Sequence, residues 1–189
     1  YGFPVILRPM ELELGFSRVA LTGAFSVGMG LAALAAIPVG RWIDRHGART
    51  LMTLGSCLGA LLLVAWSRVE SLPALYAVWC LMGFVLAATL YEPAFAAIVG
   101  WFPGGARDRA LLTLTLAAGF ASPLFMPIEA WLVVRVGWRA TLVTLAVVLA
   151  ILTIPIHAIV LRAPPRREPR AAGAARWEDV PGMPLGVAA

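Results

Sequence analysis

The chain has no lysine: all 15 of its basic residues are arginine, and the net charge of +5 rests on them. A nucleic-acid footprint needs a basic face or stripe. These arginines instead sit in short loops between apolar runs, so nucleic acid is not an expected partner. Charge of either sign is scarce. Only 13% of the 189 residues are charged and 61% are hydrophobic, with a mean hydropathy of +0.87; soluble domains are roughly a quarter charged and under half apolar. A core of this size cannot hide so much apolar surface, so a lipid bilayer must cover it. Cysteine is nearly absent as well. Cys57 and Cys80 both lie inside apolar runs, which excludes a disulfide framework and leaves too few ligands for a metal. The sequence also lacks a His/Cys/Asp ligand cluster, a nucleophile beside a base, and a glycine-rich phosphate cradle. No metal, cofactor or enzymatic reaction is therefore expected.

What is present is a set of long apolar runs hinged by short charged turns. The chain opens on Tyr1-Gly-Phe-Pro-Val-Ile-Leu7, shorter than the roughly twenty residues that cross a bilayer. It reads as the remnant of a first span (1–7), and the chain as a fragment. The piece from Arg8 to Arg18 is polar, and Ser17 is placed to cap a helix. Full spans are expected at 19–39, 50–66, 74–99, 110–134 and 140–161, followed by a proline- and arginine-rich linker at 163–189. The fold class is all-α, a polytopic membrane helical bundle. The first full span is rich in small residues, among them Gly23, Gly28, Gly30, Ala32 and Ala36. Small residues let backbones approach in lipid, so this span should be packed on several sides.

Alternate loops share a membrane face, and one face holds ten arginines against five on the other. By the positive-inside rule the richer face, with 41–49, 100–109 and 163–189, is cytoplasmic. A faint internal repeat is also visible. Arg45-His-Gly47-Ala-Arg49-Thr50-Leu51 resembles Arg135-Val-Gly137-Trp-Arg139-Ala-Thr141-Leu142. Three spans fall within the 90-residue offset, which places the two turns on opposite faces, as an inverted-topology repeat requires.

The turn between the first two full spans reads Gly40-Arg-Trp-Ile-Asp44-Arg45-His-Gly47-Ala-Arg49. Gly40 removes a side chain where two helices must touch. Asp44 is acceptor-only and suits a helix N-terminus or an arginine fork. Gly47 permits positive φ in a tight turn. Arg45 and Arg49 can bind carboxylates or anionic headgroups. In this membrane context the pattern resembles the signature of the major facilitator superfamily. Trp101-Phe102, Arg107, Arg109-Ala110 and Gly137-Trp138-Arg139 look like supporting loop features. The resemblance implies the end of helix 1 and helices 2 to 6 of an N-terminal six-helix half with a 3+3 inverted repeat, whose partner is the missing C-terminal half. It implies that Gly40, Asp44, Arg45, Gly47 and Arg49 latch the two halves in the outward-facing state. Two departures stand out. Trp79 precedes Gly83 where proton-coupled members often carry arginine. Ala118-x-x-x-Ser122-Pro123 replaces the glycine-rich motif of many antiporters.

Inside the spans, Glu92 is the leading candidate for a substrate or proton site, because an intramembrane carboxyl is costly and usually faces a cavity or a partner. Pro93 removes a helical hydrogen bond beside it and frees the carbonyl of Thr89. The competing reading pairs Glu92 with Arg41 or Arg49. Thr89 and Tyr91 could line a pore; hydroxyls in spans also bond back to their own helix. Glu129 reads best as an interfacial ion-pair partner of Arg135, and His157 as a capping or snorkelling residue near Arg162. Pro93, Pro123, Pro127 and Pro155 mark helix kinks. Together these readings describe part of a secondary active transporter. It would move a small solute across the bacterial inner membrane by alternating access. Gly15-Phe-Ser-Arg18 and Gly137-Trp138-Arg139 resemble a branch with monocarboxylate-type carriers, which implies an organic anion. The alternative is a receptor or scaffold that keeps the fold without transporting.

Overall fold

The computed structural model describes residues 2–161; Tyr1 and the expected linker at 163–189 lie outside the described residues. The helices in order are α1 (Phe3–Leu14), α2 (Arg18–His46), α3 (Ala48–Ser67), α4 (Leu72–Thr89), α5 (Tyr91–Trp101), α6 (Gly104–Gly119), α7 (Ala121–Val148) and α8 (Ile154–Ile159), with a π-helical turn over Leu149–Thr153. The bundle is all-α, with no strand among the described residues.

The first helix continues past Leu7 through the polar stretch to Leu14. Arg8 pairs with Glu11 three residues on at 3.0 Å, a spacing that supports a helix. Gly15 then ends α1 in the left-handed region at φ 69°, its N–H donating to the Glu11 carbonyl at 3.2 Å. Two residues later the Ser17 hydroxyl accepts the Ala20 N–H at 3.2 Å and starts α2.

Side-chain contacts fix the chain directions. α2 and α4 run parallel: Gly23 meets Tyr76, Gly28 meets Trp79, and Gly83 meets Gly28 and Leu31. α3 and α4 run antiparallel, with Gly55 against Ala88 and Thr89, Gly59 against Val85, and Trp66 against Trp79. After Gly137 the chain returns along α3, so that Arg139 meets Ser67, Leu149 meets Gly59, and His157 meets Ser56. Three stretches, Arg18–His46, Ala48–Ser67 and Leu72–Trp101, are each long and apolar enough for one crossing, and Gly104–Ile159 has 56 residues. At 1.5 Å per residue that last stretch is about 84 Å of helix, more than twice what a hydrocarbon layer of about 30 Å needs. Gly137 (φ 80°, ψ 163°) divides it into two passes. The chain is an integral membrane protein.

The core forms where α1, α2, α3 and α4 meet. Phe3 stacks on Phe25 with ring centroids 4.7 Å apart, and both present edges to Trp79 at 5.2 and 5.1 Å. Trp66 joins from α3, and its indole N–H reaches the Met10 sulfur at 3.3 Å. Ring pairs of this kind add about 0.5–1.5 kcal/mol each beyond area burial. The first full span touches α1, α3, α4 and α5, and it packs chiefly on α4, where Gly28 and Gly83 fall at one crossing. Leu34 and Ile37 on its other faces are 73% and 66% exposed.

The prolines act at identifiable breaks. Pro155 has no N–H to donate, and the helix widens into the π-turn Leu149–Thr153 just before it. The pass before Gly137 bends at Phe120, three residues ahead of Pro123, while Pro127 lies inside α7.

Candidate functional site

The charged turn is built by one glycine. α2 continues helical through Gly40, Asp44 and Arg45 to His46, and Gly47 (φ 80°, ψ 165°) stops it, its N–H held by the Ile43 carbonyl at 2.8 Å. A side chain at that φ would be strained. Ile43, Ala48 and Met52 bury the inner side of the turn against Ala96 and Ala97 of α5 and Leu161 at the end of α8. Asp44, Arg45 and Arg49 all point out and are exposed. Asp44 sits in the last turn of α2, where the helix dipole disfavours an acid, and its carboxylate has no ion pair or hydrogen bond among the described residues. At Gly40 a β-carbon would meet nothing within 4 Å, because that face of α2 lies against no described helix.

The fourth membrane pass is broken. α4 ends at Thr89, Leu90 takes φ −86° and ψ −142°, and α5 restarts at Tyr91. Pro93 is fully buried in the first turn of α5, where a missing N–H costs little. The break falls three residues ahead of the proline, as at Phe120 ahead of Pro123, because the Pro93 ring would clash with the Thr89 carbonyl in a continuous helix. Glu92 and Tyr91 are exposed at the restart, with Tyr91 stacked on Phe95 at 5.6 Å. A carboxylate in the first turn suits the helix dipole. The pairing of Glu92 with Arg41 or Arg49 does not occur among the described residues. Thr89 does not join Glu92 and Tyr91: its hydroxyl donates to the Val85 carbonyl at 2.7 Å and its methyl packs on Gly55 of α3.

On the opposite face a polar clamp gathers three segments. The Glu13 carboxylate accepts the Trp138 indole N–H at 2.6 Å and the Arg139 Nε–H at 2.8 Å. The same guanidinium donates to the carbonyls of Ser67 at 2.7 Å and Val69 at 3.1 Å, and lies 4.4 Å from the Trp138 ring centre. The hydrogen bond from Arg139, then that from Trp138, holds the Glu13 carboxyl below its usual value of 4.5. A carboxyl lowered in the folded state stabilises above its unfolded value and loses that contribution as pH falls through its folded one. In thermal melts, Glu13→Gln is thus expected to cost stability at neutral pH, with the gap to the parent protein closing as pH drops below 4.5.

The model of the Major Facilitator Superfamily matches residues 1–187. The chain belongs to the Major Facilitator Superfamily. Among similar proteins, the oxalate:formate antiporter of Oxalobacter formigenes is 29% identical over 169 residues, 87% of this chain and 38% of that protein. The probable galactarate/D-glucarate transporter GudP of Bacillus subtilis (strain 168) is 24% identical over 143 residues, 73% of this chain and 31% of that protein. The uncharacterized MFS-type transporter YcxA of the same organism is 28% identical over 170 residues, 88% and 41% respectively. The chain spans roughly a third to two-fifths of the length of these curated relatives.

Within this superfamily member the two resembling turns share one backbone shape: Gly47 at φ 80°, ψ 165° and Gly137 at φ 80°, ψ 163°. Two polar residues take roles that differ from expectation. Glu129 does not pair with Arg135. It is buried against Gly2, while Arg135 rests 5.5 Å from the Trp131 ring centre. His157 neither caps nor snorkels; its Nδ1 lies 2.9 Å from the Ser56 hydroxyl and 3.2 Å from the Met52 carbonyl. The carbonyl can only accept, so the Nδ1–H tautomer ties the last pass to α3. The clamp acid Glu13 carried no spacing signal, since its partners lie 125 and 126 residues away.

Proposed function

We propose that this chain forms most of the first lobe of a secondary active transporter that carries a small organic anion across the bacterial cytoplasmic membrane by alternating access. The observation that carries the reading is Glu92, exposed beside Tyr91 at the break of the fourth pass. A carboxylate inside a span does not face hydrocarbon, so this surface faces a water-filled cavity or the second lobe. Broken helices that line such cavities are a recurring way to build a solute site.

Oxalate, formate, galactarate and glucarate, the solutes in the names of two relatives, are all carboxylates, which favours an organic anion. No arginine lies deep in a described pass, so the cation that would neutralise the solute belongs to the second lobe. Glu92 then serves the coupling proton or a solute hydroxyl. Asp44, Arg45 and Arg49 face outward on the arginine-rich side, around the corner that Gly47 makes. They latch the two lobes there when the opposite side is open, with Gly40 part of the same signature.

The test is uptake by the full-length protein in liposomes. Glu92→Gln is expected to lower carboxylate uptake about tenfold or more and to change its pH dependence, the loss typical of one positioned proton-transfer group. Unchanged uptake with an unchanged pH profile would remove Glu92 from the site.

A further inference from the structure

We infer that Glu129 is a proton-binding site, neutral while α1 lies against it and ionised when that contact opens. Glu129 is only 6% exposed, on the part of α7 that runs beside α1. Eight residues separate it from the corner at Gly137, about 12 Å along a helix, which sets it inside the apolar layer. Its Oε2 has no hydrogen-bond partner among the described residues. The carboxyl is seated against backbone: a β-carbon on Gly2 would lie 2.9 Å from each of its oxygens. Only a glycine leaves room for the acid at this contact.

No described side chain packed around it supplies a compensating cation. On its own helix, Arg135 turns to Trp131. On α1, Arg8 is paired with Glu11, and Glu13 is engaged by Arg139. α6 carries Arg107, Asp108 and Arg109 in its first turns, at the far membrane face. α3 offers Arg49 at its opposite end and Cys57, which brings no positive charge, and the π-turn carries no titratable group. An unpaired buried carboxylate is a costly charge that is relieved by neutralisation. A metal cation would need several oxygen ligands, and no group of three or more His, Cys, Asp or Glu side chains gathers among the described residues. The ligand that suits a single enclosed carboxyl is a proton. It arrives from water, adds to one carboxylate oxygen and leaves from the same oxygen when α1 moves away; no other bond changes. The site is separate from Glu92 and does not use the helix-four arginine that this chain replaces with Trp79.

The test uses the full-length protein. Infrared difference spectra over a pH titration read the carbonyl stretch of a neutral carboxyl directly. The band is expected at neutral pH in the parent protein and absent in Glu129→Gln. Gly2→Val, which pushes a side chain into the acid without removing it, is expected to weaken the band at the same pH. A parent protein without the band, or a band that survives in Glu129→Gln, overturns the inference. If Glu129→Gln does not fold, loss of the band in Gly2→Val supports the site and an unchanged band there overturns it. In liposomes Glu129→Gln is expected to flatten the dependence of uptake on outside pH. That arm rests on the transporter reading, whereas the infrared arms read the proton with no solute present.

Discussion

Asp44→Asn is expected to shift the protein toward the conformation open on the arginine-rich face and to cut uptake with it. Asp44 breaks a local rule, an acid in the final turn of α2 with no described partner, and such departures collect where function demands them. If its carboxylate closes on donors of the second lobe, the substitution removes a charge-assisted contact worth roughly 1.5–3 kcal/mol. That moves the ratio of the two openings roughly ten- to a hundredfold. Asparagine keeps the shape, so the helix and the Gly47 corner survive. Cysteine accessibility on both faces reports the ratio. An unchanged labelling pattern would reduce the motif to a topology signal.

The second large effect is structural. Gly83→Val is expected to destabilise the bundle by about 3 kcal/mol, the upper end for overpacking. A β-carbon at Gly83 would collide with the Gly28 carbonyl oxygen and lie 3.0 Å from the Leu31 β-carbon and 3.2 Å from the Ala32 nitrogen. These are backbone and near-backbone atoms that no rotamer change can move. The matching control is Gly30→Ala on α2, where a β-carbon meets nothing within 4 Å. That change is expected to be neutral or slightly stabilising, since glycine inside a helix costs about 0.5–1 kcal/mol relative to alanine. Melting temperatures in detergent separate the two. Equal losses from both would deny that the α2–α4 crossing is the tight one.

The apolar runs announced the membrane passes because lipid admits only helices whose backbone bonds close internally. The corner glycines were legible for a similar reason: Gly47 and Gly137 sit between charged residues, and only glycine tolerates their φ cheaply. The polar stretch after Leu7 continues α1, since a helix can outrun the apolar layer when Arg8 and Glu11 pair along it. The break at Leu90 was legible from Pro93, whose ring cannot share a continuous helix with the Thr89 carbonyl. Glu13, Glu129 and His157 were beyond reach for one shared cause. Their partners at Arg139, Gly2 and Ser56 lie 126, 127 and 101 residues away, and periodicity carries no information at that range. The neighbour of Glu129 decides whether an acid is an ion-pair partner or an enclosed proton carrier, and only packing names that neighbour.

The twin corners at Gly47 and Gly137 have a mechanical consequence. Each membrane surface owns a joint of the same form, matched to within 2° in ψ. In the transporter we propose, corners built alike at top and bottom give no built-in preference for opening at one rim over the other. Whatever bias decides which rim gapes must come from what decorates the joints, carboxylate and guanidinium on one rim and the tryptophan-backed clamp on the other.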